Sequence, residues 1–119
     1  MDFKIKFYLT KGDFHVFGPG RLELLQNTEM LGSLHKAANA MGMSYRGAWG
    51  RIRSSEKNMG LTLLAHGGSE THGRIKVLTP KGRELIKWYK EVEKKIMFLV
   101  KSEFINMPGF LKNDEINKV

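Results

Sequence analysis

Apolar and polar residues alternate at the start of the chain. One side of this segment carries Phe3, Ile5, Phe7 and Leu9, and the other carries Lys4, Lys6 and Tyr8. A period of two is typical of a half-buried strand, so we predict a strand over 3–9. The turn signal of Lys11, Gly12 and Asp13 then favours a second short strand over 14–17.

Start and stop signals divide the next part of the chain into three helices, which we expect at about 19–31, 33–41 and 44–58. Pro19 suits the first turn of a helix. Ser33 and Ser44 are residues that cap helix N-termini. Gly32 and Gly42 suit the turns between the helices, because glycine tolerates left-handed backbone angles. The second and third helices therefore form a helix–short turn–helix unit.

The remainder predicts a hairpin and one long helix. Apolar runs at 61–65 and 74–78 flank a glycine-rich segment, 66–73, which indicates a β-hairpin. Thr79 and Pro80 then start a helix that we expect to reach about residue 106. Five apolar residues recur along it at spacings of 4, 3, 4 and 3: Leu85, Tyr89, Val92, Ile96 and Leu99. Such a seam is typical of a helix that packs against a partner.

These elements predict a mainly α fold with a small β part. The 119 residues allow one domain. We assign this domain to 1–106, and we expect 107–119 to be a loose polar tail.

Charge changes the picture, because the net charge of +8 is concentrated in the middle of the chain. Residues 44–90 carry ten Lys and Arg against three Glu, for a net charge of +7. A solvated basic surface is one explanation. A face that binds phosphates is the explanation we favour, because neutralising phosphates releases counterions and gives affinity for any sequence.

Several other classes of protein are disfavoured. The chain has no cysteine and therefore no disulfide or thiolate chemistry. The four histidines, His15, His35, His66 and His72, are scattered without an acidic cluster, so we expect no metal, no cofactor and no enzyme activity. The first thirty residues hold no unbroken apolar run, and no apolar run is long enough to span a membrane. We therefore expect no signal peptide and a cytoplasmic protein.

The order of helix, helix, turn, helix and hairpin is that of a winged helix-turn-helix. The segment 31–49, LGSLHKAANAMGMSYRGAW, resembles the N-terminal DNA-binding domain of the molybdenum-dependent transcriptional regulator (ModE) family. The resemblance is carried by a Gly-Ser start, a Gly-apolar-Ser-Tyr-basic turn and an Ala-Trp pair, and it extends over about 14–100. The chain is also more distantly similar to LysR-type regulators.

The resemblance implies a homodimeric module that binds double-stranded DNA, with the long helix as the dimer contact. ModE proteins that sense molybdate use a further C-terminal domain. Because the 119 residues leave no room for one, we expect no molybdate-sensing domain here.

Residues of the third helix are the candidates for reading bases, since the N-terminal part of such a helix enters the major groove. They are Ser44, Tyr45, Arg46 and Arg51. Arg46 is the best candidate for a bidentate contact to guanine, although a solvated arginine is the alternative. Ser44 also serves as a helix cap, and Tyr45 equally suits the edge of the core. We expect Trp49 to seal this helix to the hairpin.

Contacts to phosphates and the minor groove are expected from a wider set of residues, which flank the third helix or belong to the hairpin. They are Ser33, Lys36, Arg53, Lys57, Gly67, Gly68, Ser69, His72, Arg74 and Lys76. The glycine-rich segment 66–73 would lie near the minor groove. A hairpin loop without a binding role is the alternative.

The sequence thus predicts a dimeric regulator of transcription that places helix 44–58 in the major groove. One alternative is a protein-interaction adapter on the same scaffold, which would use the seam of the long helix. Another is an architectural protein that binds DNA without sequence preference. No set of residues indicates a small-molecule effector.

Overall fold

The computed structural model describes residues 2–67 and 75–116, with side chains up to Lys112. In chain order the elements are β1 (Leu9–Lys11), β2 (Phe14–Phe17), α1 (Pro19–Leu31), α2 (Leu34–Ala40), α3 (Tyr45–Met59), β3 (Leu64–His66), β4 (Lys76–Leu78), α4 (Pro80–Glu103), a 3-10 turn (Phe104–Asn106) and α5 (Gly109–Ile116). The strands form two antiparallel hairpins, β1 with β2 and β3 with β4. The predicted mainly α fold is confirmed.

The helix boundaries follow from the caps that the sequence indicates. The Ser33 hydroxyl accepts a hydrogen bond from the Lys36 amide at 3.2 Å, and the Ser44 hydroxyl accepts one from the Gly47 amide at 3.0 Å. Gly42 has a φ of +67° in the turn between α2 and α3. Because only glycine adopts this angle without strain, Gly42 lets the two helices turn within a few residues. The predicted helix–turn–helix unit is present with these boundaries.

The core lies where α1, α2 and α3 meet. Buried apolar side chains come from all three helices, from both hairpins and from the residue before β3: Phe17, Leu24, Leu25, Leu34, Ala37, Ala38, Ala48, Ile52, Leu63, Leu64 and Leu78. Ser55 is buried among them, and its hydroxyl donates to the Val16 carbonyl at 2.5 Å. This bond satisfies a polar group inside the core and ties α3 to β2.

The predicted strand over 3–9 is wrong in its hydrogen bonding and right in its alternation. Of this segment only Leu9 belongs to a strand. Residues 3–8, which we call the N-terminal arm, lie beside α4 and the 3-10 turn. The Phe7 ring stacks on Tyr89 with centroids 4.0 Å apart, and the Phe3 ring lies 5.1 Å from Phe104. The arm therefore buries one side against a helix, and a helix surface offers no backbone groups with which a strand could pair.

The seam predicted along the long helix is partly taken up by the core of the same chain. Tyr89 is fully buried in the core of its own chain, and its hydroxyl donates to the Phe7 carbonyl. Leu85 packs against the same core. Neither residue is turned outward towards a second chain, so a seam that includes Tyr89 is wrong. Val92 and Ile96 are half-buried, and Leu99 is 64% exposed.

The C-terminal residues also differ from the prediction. The 3-10 turn ends the long helix near residue 106, as expected, but Gly109–Ile116 is helical where a loose tail was predicted. The Pro108 carbonyl accepts from the Leu111 amide at 3.0 Å at the start of this helix. The same carbonyl lies 3.4 Å from the Lys112 amide, so Pro108, directly before the helix, accepts its first hydrogen bonds. No helix in the described ranges is long and apolar enough to cross a membrane.

Candidate nucleic-acid interface

One side of α3 is exposed and basic. Arg46, Gly50, Arg53 and Lys57 follow one another at spacings of four, three and four residues, and all four are exposed. At about 100° per residue they fall within an arc of about 60°. The buried residues Ala48, Ile52 and Ser55 lie on the opposite side. We call Arg46, Gly50, Arg53 and Lys57 the outer face of α3.

The outer face permits close approach of a ligand. A Cβ added at Gly50 would meet no atom within 4 Å, so the backbone is open to contact there. Beside it lies a surface hollow of about 790 Å³, which Arg53, Ser54 and Lys57 line together with Phe14 of β2. Cations around an uncovered stretch of helix backbone are suited to binding a polyanion.

The two residues at the start of α3 have structural partners. The exposed Ser44 uses its hydroxyl to cap the helix. The Tyr45 ring is half-buried and stacks on the His35 ring of α2, with centroids 3.7 Å apart and an angle of 7°. Tyr45 therefore joins the two helices, which agrees with its alternative as a residue at the edge of the core. Arg46 is the exposed cation nearest the start of the helix.

Arg51 does not lie on the outer face. It is exposed, but it leaves the helix about 140° away from Arg46. Its carbonyl accepts from Arg21 Nε at 3.1 Å, and Arg21 Nη1 donates to the His15 carbonyl at the same distance. Burial, followed by the nearby charge of Arg51, lowers the pKa of the Arg21 guanidinium. The sequence analysis missed Arg21, because a link to two carbonyls of distant elements leaves no local signal.

Trp49 connects α3 to the second hairpin. The half-buried indole packs against the core, and Lys76 Nζ of β4 lies 4.9 Å from its ring centroid. The guanidinium carbon of Arg53 lies 5.7 Å from the same ring. Lys76 Nζ is also 3.0 Å from a ring nitrogen of His66 in β3. The position of Trp49 agrees with the predicted packing of this helix against the hairpin.

The other residues predicted to contact phosphates differ in their exposure, and several lie outside the described residues. Ser33 is buried and its hydroxyl serves the cap of α2, whereas Lys36 is exposed on the same helix end. Gly67 donates its amide to the Ile75 carbonyl at 2.7 Å, which extends the hairpin. Gly68, Ser69, His72 and Arg74 lie outside the described residues.

Glu56 is a further residue that the sequence analysis missed. Its carboxylate accepts from the Leu63 amide at 2.8 Å and the Leu64 amide at 3.2 Å, and so fixes the start of β3 on the end of α3. The acid therefore serves the backbone of the hairpin. Within 2–67 and 75–116 no three His, Asp or Glu side chains are close enough to share a metal ion.

Comparison with known proteins adds the family. The model of the bacterial regulatory helix-turn-helix proteins of the lysR family matches residues 20–83. Among solved structures the chain is similar to VV2_1132, a LysR family transcriptional regulator, with 18% identity and a TM-score of 0.53. That match covers 71% of this chain and 27% of VV2_1132, so the chain spans about a quarter of that protein's length.

The chain is also similar to the protein of the BenM_DBD/benA site 1 DNA complex. The identity is 19% and the TM-score 0.55, over 76% of this chain and 96% of the other. At such identities the two structures show a shared fold. No curated protein sequence matches the chain.

The broader of the two predicted resemblances is the one that these comparisons confirm, and they do not support the narrower resemblance to ModE. The lysR-family model spans more than half of the 119 residues and includes α1, α2, α3 and the second hairpin. The chain belongs to the LysR family of bacterial regulatory helix-turn-helix proteins.

Proposed function

We propose that this LysR-family chain is a DNA-binding regulator of transcription that acts as a homodimer in the cytoplasm and inserts α3 into the major groove of double-stranded DNA. Family membership supports a regulatory role over an enzymatic one. The observation that carries the proposal is the outer face of α3, where three cations surround an uncovered glycine.

The dimensions of the outer face suit a groove. Arg46 and Lys57 are eleven residues apart, which at 1.5 Å per residue is about 16 Å along the helix. The major groove is about 12 Å wide. A helix whose N-terminal end reaches the base edges therefore brings its C-terminal end to the sugar–phosphate backbone. We assign base reading to Arg46 and backbone contacts to Arg53 and Lys57.

The remaining candidates take lesser roles in this arrangement. The hydroxyl of Ser44 and the ring of Tyr45 are engaged by the helix cap and by His35, so their contribution is to set the start of α3. Arg51 leaves the helix on another side and is better placed for flanking phosphates. Lys36 serves a phosphate beside α2. The segment 66–73 stays a prediction for the minor groove.

We assign the dimer contact to the distal part of α4. Leu99 is 64% exposed, and the half-buried Val92 and Ile96 lie on the same side of the helix. Phe98, which is 74% exposed, leaves the helix about 100° away from Leu99 and widens the apolar surface on that side. Apolar side chains of this size gain free energy when a second copy covers them. A two-fold dimer would present its two α3 helices to successive major grooves, about 34 Å apart on DNA.

Selection of bound sequences from random duplex DNA at about 150 mM salt tests the proposal. A specific dimer recovers a palindrome whose half-sites lie one helical turn apart. Recovery without enrichment of any sequence indicates the architectural protein, and absence of recovery contradicts DNA binding. The operator obtained also tests the narrower proposal of a ModE-like module, which rests on the residue pattern of 31–49.

A protein-interaction adapter is the second candidate. It is favoured by Ile105 and Phe110, which are 78% and 75% exposed beyond the long helix. Such apolar residues suit a docked helix of another protein. Titration with salt separates the candidates, because DNA binding weakens steeply as salt rises and an apolar contact hardly changes. We assign no cofactor and no small-molecule effector.

A further inference from the structure

The indole of Trp49 lies beside two cations that come from different elements. Arg53 follows it by one turn of α3, with its guanidinium carbon 5.7 Å from the ring centroid. Lys76 belongs to β4, with Nζ 4.9 Å from the same centroid. Both distances are within the range in which the face of an aromatic ring attracts a cation. Since Trp49 is half-buried against the core, its ring gives both cations a fixed position.

Lys76 is held from a second direction. Its Nζ lies 3.0 Å from a ring nitrogen of His66 on the neighbouring strand. An ammonium group has three N–H donors. Nζ lies 3.0 and 3.2 Å from the two ring nitrogens of His66, and a neutral imidazole has one acceptor nitrogen, so His66 takes one of these donors. The ammonium group therefore keeps a donor for an acceptor that approaches from outside.

No carboxylate neutralises this pair of cations within the described residues. The one acidic residue of α3, Glu56, gives its carboxylate to the amides of Leu63 and Leu64. The ion pair that the described residues do form, Arg83 with Glu29, involves other elements. Two positive charges held near one indole without a counter-charge favour the binding of an anion.

From this geometry we infer that Trp49, Arg53 and Lys76 form a preformed phosphate site where α3 meets the second hairpin, with Trp49 as the residue that positions both cations. The inference rests on the proposed DNA-binding function. Arg53 lies two turns into α3, beyond the N-terminal residues that reach base edges. A phosphodiester accepts from a guanidinium and an ammonium together, and each charge-assisted bond is stronger than a neutral one.

The test measures the affinity of the full chain for random-sequence duplexes of about two helical turns at about 50 mM salt. Random sequence isolates phosphate contacts from base reading. Trp49→Leu removes the aromatic face and should weaken binding about 3- to 10-fold. Trp49→Phe keeps a weaker face and should lie between Trp49→Leu and the unmodified chain.

A double-mutant cycle separates positioning from simple packing. Arg53→Gln should raise the Kd by a factor that is about threefold smaller in the Trp49→Leu background than in the unmodified chain. Lys76→Gln should behave in the same way. Lys57→Gln is the matched control, because Lys57 lies on the same helix but not against the indole. Its cost should be the same in both backgrounds.

The outcomes are distinct. If the unmodified chain binds duplex DNA and the costs of Trp49→Leu and Arg53→Gln simply multiply, the shared site is overturned and the proposed function stands. If the unmodified chain binds no duplex even at low salt, the proposed function fails and this inference fails with it. Circular dichroism and the Tm establish which variants are folded. If Trp49→Leu does not fold, the cycle is run on Trp49→Phe, with a smaller coupling expected.

Discussion

The helix-turn-helix core and the distal half of α4 differ in how far their apolar side chains are exposed. Ile52, in the middle of α3, has no exposed surface, and the buried side chains of α1 and α2 surround it. Leu99, near the end of α4, is 64% exposed, and its neighbour Phe98 is 74% exposed. Both regions are helical and regular, so secondary structure alone does not distinguish them.

The difference shows which part of the molecule is complete in one chain. The core has its caps, its buried hydroxyl bonds and an interior with no described buried polar side-chain atom left without a partner. The distal half of α4 has a regular backbone and apolar residues still in contact with water. Stability should therefore depend on the first region, and assembly on the second.

The largest expected effect is on the stability of the core. Ile52→Ala should lower the free energy of unfolding by about 2–5 kcal/mol, because it removes buried methyl groups and leaves a cavity. The Tm should fall at every protein concentration. Leu99→Ala is the matched variant in α4. It should instead remove the dependence of Tm on protein concentration, as expected when a dimer contact is lost.

Thermal unfolding followed by circular dichroism over a wide range of concentration checks both variants, with sedimentation for the oligomeric state. An unchanged concentration dependence in Leu99→Ala would remove this residue from the dimer contact. A small effect of Ile52→Ala would mean that the core relaxes to fill the space.

A smaller effect is expected on the outer face of α3, which lies on the side of the core region turned to solvent. Arg46→Ala should cost about 1–3 kcal/mol of binding to the selected operator and relax the preference at one base position. Lys57→Ala should weaken binding to all sequences alike, because a phosphate contact carries no base information. Quantitative binding to the operator and to a scrambled duplex distinguishes the two. Equal losses on both duplexes for both variants would contradict the division of roles.

The boundary between the two regions can be tested through Tyr89. Burial, followed by the charge of Glu93 and by Tyr8, raises the pKa of Tyr89 from its ordinary 10.0 to about 12. An unfolded tyrosine loses its proton near pH 10, whereas the folded one keeps it until near pH 12. The folded state then binds more protons between these values, so stability is complete below pH 10 and falls as the pH rises through this window.

Tyr89→Phe removes this titration. At neutral pH it should cost about 1 kcal/mol, since the hydrogen bond to the Phe7 carbonyl is lost. Above pH 10 its free energy of unfolding should fall less steeply than that of the unmodified chain. Urea unfolding at a series of pH values makes the comparison, and the lysines cancel because both proteins carry them. Parallel curves would show that Tyr89 is not the group responsible.

The smallest expected effect is that of a single cap. Ser33→Ala should lower the free energy of unfolding by about 1 kcal/mol, because the Lys36 amide loses its acceptor at the start of α2. Ser54→Ala, exposed in the middle of α3, is the control and should change stability by less than about 0.5 kcal/mol. Urea unfolding of the two variants measures the difference. Equal values would mean that the Ser33 hydroxyl does not stabilise the helix.

The part of the candidate site that lies on one helix could be predicted from the sequence, because the position of a residue along a helix sets the side on which it lies. The basic middle of the chain, the capped α3 and the outward position of Arg46 follow from the sequence alone. The position of Arg51 on another side also follows from about 100° per residue, and applying that angle would have separated it from Arg46. Arg21 and Glu56 were missed, because their partners are backbone groups on other elements.

The sequence by itself determined the helix boundaries, since Ser33, Ser44, Gly42 and Pro80 act on the few residues next to them. Only the tertiary structure decided what covers each apolar stripe. A period of two or of 3.5 shows that one side is apolar, but the pattern does not contain the surface that packs against it. For this reason the N-terminal arm lies on a helix, Tyr89 belongs to the core, and Trp49 lies beside cations from two elements.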